Sequence, residues 1–138
     1  MSAFFDTSVL MAAVLAGHDR HKPCNRAVAE AREPMCGVHT LAEFYANTTA
    51  LPLRSRLTPE EAIFLVDQIV ERFRIIALTM QEYHETLRHM AAVHQRGGRT
   101  YDALLLACAR KARAETIYTL DLDFPELAPD LAARIVTL

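Results

Sequence analysis

Four of the chain's 17 acidic residues stand where short apolar runs end or where helices are expected to begin: Asp6, Glu43, Asp102 and Asp121. If such carboxylates meet in one place, they repel one another and their proton affinities rise. A divalent, oxygen-seeking cation removes that penalty. Mg²⁺ or Mn²⁺ suits an all-carboxylate site, with waters completing its shell. Such ions activate water and stabilise the oxyanions of phosphodiester cleavage. Each acid alone also has a plainer reading. Glu43 and Asp102 lie in expected first turns of helices, where the dipole favours an acid by about 0.3–1 kcal/mol. Asp6 could cap the first helix, although Thr7 and Ser8 are of capping type too.

The elements around these acids decide whether they can meet. Ala3-Phe4-Phe5 reads as a buried strand that stops at Asp6. Val9, Leu10, Ala13 and Val14 recur at helical spacing, and Gly17 is the expected stop. A second helix is expected over 22–32, with Pro23 in its first turn. Met35-Cys36-Gly37-Val38 is a second short apolar run. A third helix over 40–51 carries Glu43, and Pro52 ends it. Thr58-Pro59-Glu60-Glu61 starts a helix that runs to Arg72, by cap, proline and first-turn acids. The run 73–78 is a third strand. Thr79 caps a helix whose stripe is Met80, Tyr83, Leu87, Met90 and Ala91, continued by His94 and closed by Gly97-Gly98. Helix six is expected over 101–113, a fourth strand over 116–120 and a fifth over 133–137. This alternation predicts an α/β domain with a parallel sheet and helices on both faces. In such a sheet all strands end on one edge, and ligands bind in the crevice beyond it. Asp6 and Asp121 follow strand ends, and Glu43 and Asp102 stand in the first turns of helices, so all four could converge on that edge.

Composition bounds the rest. One hydrophobic domain over 1–138 is expected from 138 residues that are 51% apolar and 23% charged. A net charge of −2 argues against bulk electrostatic binding of nucleic acid, though not against an acidic, metal-filled site. Cys24, Cys36 and Cys108 are dispersed, and no C-x-x-C pair suggests zinc or redox work. They read as reduced thiols of a cytoplasmic protein. No run reaches about 18 apolar residues, so no membrane partner is expected. The N-terminal residues lack a basic region ahead of an apolar run, and no secretory signal is expected.

Four stretches, taken in order, resemble PIN-domain nucleases, in particular VapC-type toxins of type II toxin–antitoxin pairs. They are Phe4-Phe5-Asp6-Thr7-Ser8-Val9-Leu10, His39-Thr40-Leu41-Ala42-Glu43-Phe44-Tyr45, Arg99-Thr100-Tyr101-Asp102-Ala103-Leu104-Leu105-Leu106-Ala107-Cys108-Ala109 and Thr119-Leu120-Asp121-Leu122-Asp123-Phe124. The resemblance implies a PIN-like α/β fold with a central five-stranded parallel sheet and about seven flanking helices. It implies a Mg²⁺-dependent endoribonuclease in which metal-activated water attacks the phosphodiester, leaving a 5′-phosphate. It carries over Asp6, Glu43, Asp102 and Asp121 as the metal-holding, catalytic quartet, with Asp123 a candidate fifth member. The implied partners are the RNA substrate, a cognate antitoxin that neutralises the site with a basic side chain, and a second copy of the chain in a homodimer.

Other residues have two readings. Thr7 and Ser8 are candidates to support the site through their hydroxyls or simply to cap a helix. Asn47 shares a helix face with Glu43 and could steer a carboxylate or phosphate, or be solvated. Arg54 and Arg56 follow the Glu43 helix, and Arg96 and Arg99 precede Asp102. These four are candidate forked donors to RNA phosphates. His39 is placed to cap the Glu43 helix or line the cleft. His18 and His21 read as surface residues, and His94 as a half-buried edge residue. Two rival functions stand beside the nuclease. A haloacid-dehalogenase-type phosphohydrolase would need a second Asp two residues after Asp6, where this chain has Ser8. A non-catalytic binding module with a PIN fold would not need the intact quartet.

Overall fold

The computed structural model describes all residues, 1–138. Its centre is β1 (Ser2–Phe5), flanked by β2 (Glu33–Gly37) and then β3 (Arg74–Ile76) on one side. On the other side lie β4 (Thr116–Thr119) and then β5 (Ile135–Thr137). All neighbours are parallel. The chain winds outward from β1 in one direction and then returns to build the other half. The strand order therefore reverses between β1 and β4, the position at which open α/β sheets bind ligands.

Alternation along the strands sends successive side chains to opposite faces. Phe4, Met35, Ile76 and Ile117 share one core with Leu105, Leu106, Cys108, Phe124 and Leu131. Those partners come from α6 (Arg99–Lys111), α7 (Phe124–Leu127) and the 3-10 helix Pro129–Arg134. Phe5 and Cys36 point the other way. They pack with Val9 and Leu10 of α1 (Thr7–Val14), Cys24 of α2 (His21–Glu30), Phe44 of α3 (Val38–Thr49) and Val66 and Ile69 of α4 (Pro59–Arg72). Phe5 also stacks on Tyr118 at 5.2 Å. Phe4, Phe5 and Phe44 are fully buried, each worth about 1.5–3 kcal/mol in apolar burial. With α5 (Met80–Ala92), seven α-helices and one 3-10 helix surround the five parallel strands, as expected.

Gly37 matters for the site. A Cβ there would lie 2.8 Å from Leu105 Cδ2. The missing side chain lets α6 press against the end of β2, which fixes where the first turn of α6 sits.

Several expected boundaries move. α1 ends at Val14 because Leu15 is already extended (φ −95, ψ 96), three residues short of Gly17. α3 begins at Val38, so His39 lies within its first turn rather than ahead of it. α5 closes at Ala92 rather than at Gly97-Gly98. His94 itself takes the left-handed position (φ 58), with Gln95 N–H bonded to Met90 O at 3.0 Å and His94 N–H to Ala91 O at 3.1 Å. This is a Schellman closure in which histidine replaces the usual glycine. His94 therefore leaves the apolar stripe and is exposed, and Leu87 of that stripe is 44% exposed. Only Met90 of the stripe is buried. α6 starts at Arg99, two residues early. The thiols of Cys24, Cys36 and Cys108 are buried and free.

Candidate active site

The site grows from the last residue before α1. Asp6 leaves β1 and starts the helix through its backbone, but its carboxylate makes no cap hydrogen bond. The plainer reading of Asp6 as a helix cap therefore fails. The side chain is instead buried among polar partners. The hydroxyls of Ser8 and Thr119 each donate to Asp6 Oδ2 at 2.9 Å. Thr119 ends β4, and its oxygen accepts the Asp121 N–H at 2.9 Å. One threonine thus ties Asp6 to the turn that carries Asp121. Asp121 Oδ1 in turn accepts the Asp123 N–H at 2.8 Å, an Asx-type turn that orients the Asp121 carboxylate.

Glu43 comes in from α3. It accepts a hydrogen bond from the Thr7 hydroxyl at 3.2 Å, and that hydroxyl is 2.9 Å from the buried hydroxyl of Thr40. Thr40 and Glu43 are three apart and share a helix face. Asp102 completes the set from the first turn of α6. Asp6, Glu43, Asp102 and Asp121 line one cavity of about 360 Å³, with Thr7, Ser8 and Asn47 around it. It opens at the carboxyl edge, between β1 and β4.

These acids lack basic partners. No lysine or arginine forms an ion pair with any of the four, and only His39 Nε2 approaches, 3.8 Å from Glu43 Oε1. Burial pushes the Asp6 carboxyl upward in pKa, against the Ser8 and Thr119 hydroxyls that favour its charged form. Burial also raises Glu43, against His39 and Thr7. Asp102 is pushed up to about 6, first by burial and then by the charges of Asp6, Asp121 and Glu43, while Arg99 pulls the other way. This is the signature of carboxylates gathered without a counter-charge.

The donor set fits a hard, hydrated cation: only oxygen ligands, with a cavity large enough for waters. Mg²⁺ typically takes one or two carboxylates and keeps several waters. No three His, Cys, Asp or Glu side chains stand close enough to grip an ion directly, so a cation held here would keep most of its shell as water.

The remaining expected site residues divide. Thr7, Ser8 and Asn47 line the cavity. Asp123 does not; its exposed carboxylate lies 3.8 Å from Arg99 Nη1. Arg99 is beside the site, with its buried Nε lacking any hydrogen-bond partner. Arg54 and Arg96 are exposed and outside the cavity. Arg56 is committed locally, its Nε donating to Leu51 O at 2.8 Å. Thr40, Thr119 and Tyr101 are site-adjacent residues that the sequence reading did not single out. Thr119 could have been found by strand alternation, since it stands two residues before Asp121 at a strand end. The Tyr101 ring stacks on His39, centroids 5.1 Å apart.

A family model for the PIN domain matches residues 3–129. The chain is 36% identical over 111 residues to Ribonuclease VapC27 of Mycobacterium tuberculosis, covering 80% of this chain and 78% of that protein. In structure it resembles VapC20 of Mycobacterium tuberculosis, described as a sarcin-ricin loop cleaving toxin. The TM-score is 0.77 at 23% identity, covering 92% of this chain and 95% of that one. It also resembles VapBC-5 of Mycobacterium tuberculosis, described as a member of the VapBC family of toxin–antitoxin systems. There the TM-score is 0.62 at 19% identity, with both chains covered fully (100%). At these identities the two structures speak for the fold.

Proposed function

The chain belongs to the PIN-domain family and to its VapC ribonuclease branch, and from that premise we propose that it is a metal-dependent endoribonuclease, the toxin of a toxin–antitoxin pair. The observation that carries this reading is the convergence of Asp6, Glu43, Asp102 and Asp121 on one cavity at the sheet's switch point, with no arginine or lysine pairing any of them. Structural acids are ordinarily paired or solvated; four gathered without a base need a cation.

The four carboxylates are the proposed binding site of Mg²⁺, with Mn²⁺ as an alternative, one or two of them meeting the ion directly and the others through its waters. When bound, that ion supplies Lewis acidity that acidifies water and offsets phosphate charge. The protein's own groups do the positioning. Ser8 and Thr119 fix one oxygen of Asp6. Thr7, backed by Thr40, fixes Glu43. The turn at Asp121-Asp123 aims Asp121. Hydrolysis by water leaves a 5′-phosphate and a 3′-hydroxyl, because the 2′-hydroxyl of the RNA is not the nucleophile. Arg99 is the best-placed donor to a substrate phosphate. The proposed partners are a small antitoxin, whose basic side chain would neutralise the acid cavity, and a second copy of this chain. No helix is long and apolar enough to cross a membrane, and the proposed location is the cytoplasm.

The purified protein should cleave RNA only with Mg²⁺ or Mn²⁺, and Asp6→Asn should abolish cleavage. Cleavage that persists in excess chelator, or survives in Asp6→Asn, would refute the reading. RNA binding without any cleavage would favour the non-catalytic binding module. The dehalogenase-type reading loses its footing in the structure: Ser8 donates to Asp6 where that chemistry needs a second acid.

A further inference from the structure

The acid cavity repels phosphate until a cation reverses its sign, so an anchor that does not depend on charge adds to substrate affinity beside the phosphate contact of Arg99. His39 and Tyr101 offer one. They stand in the first turns of α3 and α6, the two helices that carry Glu43 and Asp102. Their rings lie parallel, 5° apart in plane and 5.1 Å between centroids. His39 Nε2 is 3.8 Å from Glu43 Oε1. Tyr101 immediately precedes Asp102, about 3.8 Å away along the Cα trace. Neither ring lines the acid cavity, so the pair stands at its side.

A stack that served only to staple α3 to α6 would bury its rings. Tyr101 is instead 50% exposed. One of its faces is taken by the imidazole, so that exposure belongs to the opposite face and the rim of the ring. Such an aromatic face is indifferent to phosphate repulsion and accepts any base, because every base has a π-face. It requires an unpaired nucleotide that can be splayed out.

We propose that the outer face of Tyr101, backed by the ring of His39, is a platform for one unpaired nucleobase of the RNA substrate, within a nucleotide or two of the bond that is cut. The proposal rests on the endoribonuclease reading above. It makes Tyr101 a substrate-binding residue and His39 its positioning residue.

The test uses the full chain and a single-stranded oligoribonucleotide that the wild type cleaves in Mg²⁺. Tyr101→Ala should raise KM by about 5- to 150-fold, the range of one base–aromatic stack, with kcat changed less than about twofold. Tyr101→Phe should stay close to wild type. In the wild type, an abasic nucleotide at one position beside the cut should reproduce the Tyr101→Ala loss, and the two changes together should add nothing. In the non-cleaving Asp6→Asn protein, 2-aminopurine at that position should be quenched. Adding Tyr101→Ala should remove the quenching. Should Tyr101→Ala melt early, Tyr101→Leu keeps bulk against His39 without a π-face and takes its place. An unchanged KM, an equal loss in Tyr101→Phe, or full additivity with the abasic substrate overturns the platform. If the wild type cleaves no RNA, the endoribonuclease reading falls. The quenching arm, with 2-aminopurine placed at each position of the oligoribonucleotide in turn, then decides alone whether Tyr101 holds a base: Tyr101-dependent quenching at some position upholds the platform, and its absence at every position overturns it.

Discussion

The two ends of helix α6 treat charge in opposite ways. At its C-terminal end, Arg110 grips Asp130 with two hydrogen bonds of 2.8 and 3.0 Å, and Lys111 bonds Glu82 at 2.6 Å. Those cations hold Asp130 and Glu82 below the usual carboxylate range. At its N-terminal end, Asp102 faces three other acids and is pushed up to about 6, by burial and then by their charges. The paired end borders the larger cavity, about 740 Å³ against about 360 Å³. Size alone would therefore point away from the proposed site. What separates a site from a surface groove here is whether each charge is answered within the fold, because an unanswered, half-buried acid costs stability and is retained only where it has other work.

The largest expected effect breaks the comparison by substituting one acid at each end. Asp102→Asn should lower RNA cleavage by about 10²–10³-fold, the range of losses when a group that stabilises transition-state charge is removed. Glu82→Gln should leave cleavage near wild type. Initial rates on one RNA at fixed Mg²⁺ check both. Similar losses at the two ends would erase the distinction drawn between them.

Next in size is the response to metal. An ion that binds only the folded form stabilises it by about 2.7 kcal/mol at a concentration 100 times its dissociation constant. For a chain of this size that is several degrees in Tm. Mg²⁺ or Mn²⁺ should raise the wild-type Tm, and Asp6→Asn should abolish the rise. Asp130→Asn should leave it intact. A metal-induced rise of equal size in Asp6→Asn would move the cation elsewhere on the molecule.

The response to pH sharpens the contrast, because the two ends carry opposite signs. Asp102 has a folded pKa of about 6, above its ordinary value of 3.8. Its contribution to stability is therefore fully present below about pH 4 and is lost as pH rises through about 6. Glu82 and Asp130 are lowered, so their contributions are present above the ordinary carboxylate pKa and are lost as pH falls through the folded value. In chelator, Asp102→Asn should gain on the wild type by about 1–2 kcal/mol between pH 4 and pH 7, after allowance for the half-exposed position of Asp102. Asp130→Asn should instead trail the wild type throughout that range and close the gap only as pH falls below about 4. Denaturant melts at several pH values measure both, and a flat difference for Asp102→Asn would deny the crowding of charge.

Much of the acid end was legible in the sequence, and particular residues show why. Asp6 and Asp121 are tied to strand ends, and strand ends in a parallel sheet share an edge, so order and pattern suffice to bring them together. Glu43 and Asp102 needed the family resemblance, since a first-turn acid is also an ordinary helix start. Thr119 and Thr40 were hidden because a threonine hydroxyl finds its partner through side-chain direction, and Thr119 reaches Asp6 across 113 positions of sequence. The His39–Tyr101 stack was hidden for the same reason: two helix starts far apart in the chain had to be laid side by side first. The end of α5 went unread because Gly97-Gly98 drew the boundary, while His94 adopted the left-handed conformation that the sequence rules reserve for glycine. The paired end of α6 was also beyond reach, because Arg110–Asp130 and Lys111–Glu82 join elements whose relative placement no local pattern encodes.

The smallest effect concerns two arginines on this one helix. Arg110 spends its guanidinium on Asp130 through two short hydrogen bonds. Arg99 is held loosely: its nearest anionic partner, Asp123, is 3.8 Å from Nη1, and its Nε is buried without any partner. An orphaned donor beside the acid cavity gains a bond when a phosphate oxygen arrives, whereas Arg110 must first surrender the two it has. Each arginine that meets a phosphate of single-stranded RNA contributes about 0.7 to the slope of log affinity against log salt. Arg99→Ala should therefore weaken RNA binding a few-fold and reduce that slope by about 0.7, while the metal-induced rise in Tm stays as in the wild type. Arg110→Ala should change stability by less than about 1 kcal/mol, as exposed ion pairs do, and leave the salt slope alone. Binding isotherms at several salt concentrations on the non-cleaving Asp6→Asn protein give both numbers. Equal slopes for Arg99→Ala and its parent would show that Arg99 serves only to hold Asp123, and the phosphate path would then have to run along another side of the cavity.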